Sequence, residues 1–167
     1  DPVSRKQQAE NMAEFLCGMA ADFGLVKERA LTTADTKAVE RAKKITINNK
    51  KRGMKLLPKD IRDQLPALYA QDGKAGKAVV YVKYFTPSSS WTWHVLEGEP
   101  VLDSSGSEVD FKFFGLVEGH EREYGYFLLS ELEEVTGPMG LPVERDLYWK
   151  PKTLAETVPG MFKGEPK

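Results

Sequence analysis

The two histidines of this 167-residue chain, His94 and His120, carry its most versatile side chains. Several acidic residues lie near them in sequence: Asp110, Glu118, Glu121 and Glu123. Imidazole and carboxylate groups together bind divalent metals or act as general bases. However, no metal signature such as H-E-x-x-H is present, and the acids cluster at a predicted hairpin tip, where charge also serves solubility. We interpret His94 as a hydrogen-bonded, half-buried strand residue and predict no metal and no cofactor.

Other nucleophiles and phosphate-binding loops lack their usual sequence context. Ser88–Ser90 stand outside a G-x-S-x-G elbow, and the single cysteine, Cys17, lies beside an apolar helical stripe without a nearby histidine. Gly115, Gly119 and Gly125 fall within a predicted strand pair rather than at a strand-to-helix turn. These observations favour a non-enzymatic role.

Two sets of side chains are candidates for binding. A basic stretch offers contacts to nucleic-acid phosphates, although the sequence favours a solvated helix end, since Lys and Arg are common in the last turn of any helix; its residues are Arg41, Lys43, Lys44, Lys50, Lys51 and Arg52. The second set belongs to an aromatic-rich sheet, whose face could stack bases or bury a protein partner. Its members are Tyr84, Trp91, Trp93, His94, Glu118, His120 and Arg145. Arg145 lies between Glu144 and Asp146. We interpret it as an ion-paired residue that holds the last segment on the sheet, or as an arginine that recognises a ligand.

These side chains are positioned by a predicted α+β architecture. Apolar spacing predicts one helix from Ser4 to Gly24 and a second, capped by Thr32, that runs to about Asn48. Strands are predicted over Ala78–Pro87 and around Trp91–Pro100. We predict an antiparallel meander of four to five strands with helices packed on one face, preceded by an N-terminal helical hairpin.

The organising element is the segment Asp110–Glu133, which reads as a hairpin that leads into a helix. Two aromatic runs flank the charged turn at residues 119–123. Ser130 stands three residues before Glu133, the spacing of a capping box, and is predicted to cap the helix. The Pro- and Lys-containing tail after Pro151 is predicted to fray.

Charge and composition suggest two segments in a cytoplasmic protein. Residues 1–53 carry 11 Lys and Arg against 7 Asp and Glu, whereas the remainder carries 13 against 18. We predict a helical segment at 1–53 and an α+β domain at 54–167. A lone cysteine excludes an internal disulfide and suits a reducing compartment, and no apolar run is long enough to span a membrane.

Four segments resemble the domain-of-unknown-function 2958 family, from Met54 to about Leu154. They are KLLPKDIRDQLPALY, VVYVKYFTPSSSWTWHVLEGEP, DFKFFGLVEGHEREYGYFLLSELE and GPMGLPVERDLYWKPK. The resemblance implies a small protein carried by plasmids, integrative elements or phages, near antirestriction and DNA-handling genes. It implies no reaction and no catalytic residues.

The leading hypothesis is therefore a non-enzymatic accessory protein of a mobile genetic element. It would bind a protein or a nucleic acid through the aromatic sheet face, in counter-defence or DNA handling. The alternatives are a metal-assisted hydrolase of nucleic acid and a domain of a larger polyvalent protein. No oligomeric state follows from the sequence.

Overall fold

The computed structural model describes residues 32–164, and the helix predicted from Ser4 lies outside them. The chain divides into two compact units, residues 1–38 and 39–167. Helix α1 (Thr33–Arg52) begins in the first unit, where Thr32 and Asp35 form the predicted cap: Asp35 N donates to Thr32 Oγ1 (3.2 Å), and Thr32 N donates to Asp35 Oδ2 (2.9 Å). The predicted boundary at residue 53 stays a prediction.

Within the second unit, α1 continues past its predicted end at Asn48. The Asn48 amide is buried and donates to the carbonyls of Glu133 (3.1 Å) and Glu134 (3.0 Å). Arg52 is buried as well, and its Nε donates to Val143 O (2.5 Å). Gly53, at φ 67°, then ends the helix. Asn48 therefore joins α1 to the rest of the domain by hydrogen bonds, and the helix does not break there.

Five strands form one antiparallel sheet, in the spatial order Arg122–Leu128, Glu108–Glu118, Thr92–Leu102, Val82–Phe85 and Glu144–Arg145. The short helix α2 (Lys59–Gln64) starts directly after Pro58, as predicted, and β1 (Val79–Val80) is separated from β2 (Val82–Phe85) by one residue. Next come β3 (Thr92–Leu102), β4 (Glu108–Glu118) and β5 (Arg122–Leu128). The β4–β5 pair is the predicted hairpin, and its turn covers residues 119–121.

Helix α3 (Leu129–Glu134) follows β5 directly, and the prediction that Ser130 caps it is wrong. The helix begins at Leu129, so Ser130 lies inside its first turn. Asp110 of β4 takes the capping role, because its Oδ1 accepts from Ser130 N (3.1 Å). Glu131 completes the start by accepting from Leu128 N (2.9 Å).

The remaining elements are β6 (Glu144–Arg145), β7 (Lys152–Thr153) and helix α4 (Leu154–Thr157). The prediction of a frayed tail is wrong for this segment. Strand β7 pairs with β1, and Leu154 is fully buried (0% exposed). Thr153 and Glu156 form a capping box that starts α4.

Both faces of the sheet carry buried apolar residues. The first face packs against α2 and α3, with a core that includes Tyr84, Trp93, Val95, Phe113, Phe127 and Leu132. The second face is partly covered by the C-terminal segment, with a core of Ala78, Val80, Leu96, Leu116, Leu154 and Val158. The predicted α+β class with a five-stranded antiparallel sheet is confirmed. Within residues 32–164, no helix is both long enough and apolar enough to cross a bilayer.

Candidate ligand-binding cavity

Two of the predicted binding aromatics lie inside the first-face core. Tyr84 is 0% exposed, and its hydroxyl donates to Leu56 O (2.8 Å). Burial raises the pKa of Tyr84 well above its usual range. Trp93 is 8% exposed and packs in the same core. A partner molecule can reach neither ring without opening the core, so both stabilise the fold.

Trp91 and His120 form a small cluster at the end of the first face. The half-buried Trp91 ring lies 5.9 Å from Trp93 and 5.7 Å from His120, measured between ring centroids. Gly119 permits this contact, because a Cβ there would lie 2.6 Å from the Trp91 ring. The exposed His120 therefore packs against an aromatic wall.

His94 points to the opposite face, where it meets Glu118 and Arg122. His94 Nε2 lies 2.9 Å from Glu118 Oε2, and Arg122 Nε donates to Glu118 Oε1 (2.6 Å). Because a carboxylate only accepts, Nε2 carries the proton and the neutral ring leaves Nδ1 as an acceptor. Nδ1 is buried without a partner in the described part of the chain. Protonation would leave an unpaired N–H there.

The pKa values of this pair follow from that geometry. Burial lowers the pKa of His94, and the hydrogen bond and charge of Glu118 oppose the shift only in part. Burial alone would raise the pKa of Glu118, but the hydrogen bonds and charges of His94 and Arg122 outweigh burial and lower it. His94 and His120 thus lie on different faces. Across residues 32–164, no three His, Cys, Asp or Glu side chains gather closely enough to hold a metal ion.

Arg145 lies on the edge strand β6, and its Nε donates to Lys55 O (3.2 Å). Asp146, its neighbour, lies 3.9 Å from Lys83 Nζ. Arg145 also lines a shallow cavity of about 320 Å³ together with Phe85 and the strongly exposed Tyr148. Arg145 therefore helps to hold the segment before α2, and its ligand-reading role stays a prediction.

The basic stretch of α1 is only partly available to a partner. Arg41 pairs with Glu134 (2.7 Å), Lys51 donates to Gly140 O (3.1 Å), and Arg52 is buried. Lys43, Lys44 and Lys50 are exposed. Half of the predicted phosphate contacts are thus occupied by contacts within the domain.

A larger cavity opens on the second face of the sheet, beside the C-terminal segment. Its volume is about 620 Å³, within the range typical of small-molecule sites. Aromatic rings from the sheet, from the loop after α2 and from the chain's end line it: Tyr69, Phe114, Tyr124, Tyr126 and Phe162. Phe114 lies 5.0 Å from Tyr126 and 6.0 Å from Tyr124, so the three sheet residues form one continuous wall.

The opposite wall is the loop that carries Tyr69 and Gln71, and a buried carboxylate holds it. Glu97 is 3% exposed; its Oε2 accepts from Tyr69 N (2.7 Å) and its Oε1 from Gln71 N (2.6 Å). The Gln71 side chain in turn donates to Val79 O (2.9 Å) and Leu96 O (2.8 Å). The loop is therefore fixed to β3 by a satisfied polar network.

Backbone strain accompanies this anchoring. Tyr69 has φ 70° and Ala75, another lining residue, has φ 46°. Positive φ is unfavourable for a bulky side chain and persists only where surrounding contacts impose it. In Tyr69 those contacts come from Glu97. The result is a 70%-exposed ring held at the mouth of the cavity.

The electrostatics of the cavity are negative. Two carboxylates, Asp72 and Glu97, lie in its lining, and the lining residues within 32–164 include no Lys, Arg or His. The hydrogen-bonding interaction with Tyr69 raises the pKa of Tyr126 to about 12. Tyr126 therefore remains protonated at physiological pH.

Family comparison agrees with the sequence. A family model described as "Protein of unknown function (DUF2958)" matches residues 56–157. The chain belongs to this family. The match covers most of the described domain, including every strand and both walls of the cavity. No curated protein and no solved structure matches the chain.

Sequence reasoning found part of this cavity. It predicted aromatic runs on both sides of the turn at residues 119–123, and these runs include Phe114, Tyr124 and Tyr126. It missed Tyr69, Glu97 and Phe162. Glu97 was missed because of a β-bulge between Val95 and Glu97. Unbroken alternation along β3 would place Glu97 on the first face of the sheet. With the bulge, Glu97 pairs with Phe114 and faces the second face.

Proposed function

We propose that this protein is a binding module whose ligand enters the aromatic cavity on the second face of the sheet. The cavity itself carries the proposal: about 620 Å³, with aromatic walls and a loop held in a strained conformation at its mouth. Fixed aromatic walls with few polar groups are the usual composition of ligand sites. The surface proposed from the sequence is thereby moved from Trp91 and Trp93 to Tyr69, Phe114 and Tyr126.

A protein partner fits this cavity better than a nucleic acid. Nucleic-acid sites need cations for the phosphates, whereas Asp72 and Glu97 supply negative charge to this lining. The exposed cations of α1, such as Lys43 and Lys44, lie on another element. A side chain or terminus of a protein is the size of group that the cavity accommodates.

The proposed setting is a mobile genetic element and a cytoplasmic location, with a role in counter-defence or DNA handling. This part of the proposal is supported by the family resemblance and by the single cysteine. The hydrolase and polyvalent-protein alternatives stay predictions.

A fragment screen by two-dimensional NMR tests the cavity as a binding site. Neutral, cationic and anionic organic fragments are added to the ¹⁵N-labelled chain, and the backbone amides that shift are mapped. We expect the shifts to concentrate at residues 69–73, 96–97 and 161–162. Shifts that concentrate instead at residues 144–148, around the smaller cavity, or that show no preferred region would overturn the proposal.

The variant Tyr126→Ala provides the matched comparison, because Tyr126 is 47% exposed and its removal leaves the core intact. The control Tyr148→Ala removes a 93%-exposed ring outside the cavity. Fragment shifts should weaken in the first variant and persist in the second.

A further inference from the structure

The walls of the cavity have the chemistry of a receptor for cations. The face of an aromatic ring is electron-rich and attracts a positive charge, most strongly where a carboxylate lies nearby. Tyr69, Phe114 and Tyr126 supply such rings, and Asp72 and Glu97 supply the carboxylates. An anionic group would meet repulsion at the same positions.

One of these rings already receives a cation from the chain itself. Lys112 Nζ lies 4.7 Å from the centroid of Tyr126. Lys112 is not among the residues that line the cavity, whereas Tyr126 is. The contact shows that the Tyr126 ring is oriented to accept a positive charge on the second face of the sheet.

We propose that the group bound in the cavity is an organic cation, an ammonium that carries methyl or methylene groups, such as a basic side chain of a protein partner. This inference rests on the proposed function, since it names the chemistry of the ligand at the same site. A compact inorganic cation fits less well, because rings offer it no oxygen ligands. Ammonium substituents, by contrast, add apolar contact to the cation–π attraction.

Two probes of nearly equal shape separate charge from size. Choline and its neutral isostere 3,3-dimethylbutan-1-ol are titrated into the full chain, with NMR shifts of the cavity amides as the readout. We expect choline to bind about tenfold more tightly than the isostere. We also expect its affinity to fall with added salt, because the carboxylate attraction is screened.

Three variants assign the effect to named groups. Tyr126→Leu should weaken choline about fivefold while leaving the isostere little changed, because an apolar surface remains. Asp72→Asn should weaken choline binding about twofold, because it removes a carboxylate from the lining. Lys112→Gln should strengthen choline binding about twofold, because it removes a like charge beside the Tyr126 ring. The opposite signs of the last two changes exclude a general loss of folding as their cause.

The outcomes distinguish this inference from the proposed function. If the isostere binds as tightly as choline, or if neutral fragments bind while choline does not, the cationic ligand is wrong and the binding cavity stands. If neither choline nor any fragment shifts the cavity amides, both are wrong. Equal affinities of Asp72→Asn and Lys112→Gln for choline would also contradict the inference.

Discussion

At the scale of single residues, the least expected feature is a buried acid that lines the cavity and also holds the loop at its mouth. Within residues 32–164, Glu97 has no cationic partner, and two backbone N–H groups satisfy its carboxylate. These hydrogen bonds hold the Tyr69 backbone at positive φ and thereby fix its side chain at the mouth of the cavity. Glu97 is thus a positioning residue.

Glu97→Gln should therefore reduce both stability and ligand binding. The amide keeps one acceptor but turns an NH₂ group toward a backbone N–H, which leaves a buried donor unsatisfied and costs about 2 kcal/mol. Urea denaturation measures the loss. The control is Glu99→Gln, an exposed acid two residues along the same strand, which should change stability by less than about 0.5 kcal/mol. Equal effects of the two substitutions would contradict the anchoring role.

His94 predicts how stability depends on pH. Its pKa is lower in the folded chain than in the unfolded chain, so below about pH 6.5 the unfolded state binds a proton first. Stability should fall by about 1 kcal/mol as the pH drops from 7 to 5. In His94→Gln, whose amide still donates to Glu118 and does not titrate, the loss over this window should be smaller. Parallel pH profiles of the two proteins would refute the assignment.

Residue-level prediction from sequence succeeded where the neighbours are local and failed where they are distant. His94 was expected to be hydrogen-bonded on a strand, but its partner Glu118 lies 24 positions away and depends on the β3–β4 register. Tyr69 could not be predicted as a site residue. Its backbone is held by Glu97, which a β-bulge in β3 turns toward the second face of the sheet. The local sequence pattern does not show which residues distant in sequence will be in contact.

At the scale of elements, the C-terminal segment has the least predictable role. Its Pro and Lys content suggested fraying, yet β7 pairs with β1 and α4 buries Leu154 against the second face. Trp149 Nε1 donates to Val80 O (3.0 Å) and ties the approach to β7. Burial of a few apolar residues thus outweighs the composition of the segment.

Leu154→Ala tests whether this segment is part of the fold. Truncation of a fully buried leucine should cost about 3 kcal/mol. The exposed Leu147→Ala serves as the control and should cost less than about 0.5 kcal/mol. Thermal or urea unfolding measures the stability of the two variants. If Leu154→Ala loses as little stability as Leu147→Ala, the C-terminal segment is frayed and not part of the fold.

Capping shows a similar limit. The sequence correctly predicted that a helix follows the hairpin, because Ser130 and Glu133 have the spacing of a capping box. It assigned the cap to Ser130, since S-x-x-E is a local signal. The acceptor is Asp110, 20 positions earlier, because the hairpin brings the start of β4 beside α3. Element type was therefore predictable, and the atoms that begin it were not.

At the scale of the whole described domain, the sheet has two faces with different tasks. The first is closed by α2 and α3, which makes it the stabilising core. The second is closed only in part, and the remaining aromatic surface forms the cavity. The sequence predicted the strands, the hairpin and the surplus of aromatics. Which aromatics stay accessible was decided by the C-terminal segment, whose packing no local pattern showed.

The central claim is that a protein partner binds through the cavity, and paired capture experiments test it most directly. Wild-type chain, Tyr126→Ala and Tyr148→Ala are each used to capture proteins from a host lysate, with and without nuclease. The account predicts a partner that survives nuclease, is retained by Tyr148→Ala and is lost by Tyr126→Ala. Capture that Tyr126→Ala leaves intact, or that nuclease abolishes, would contradict it.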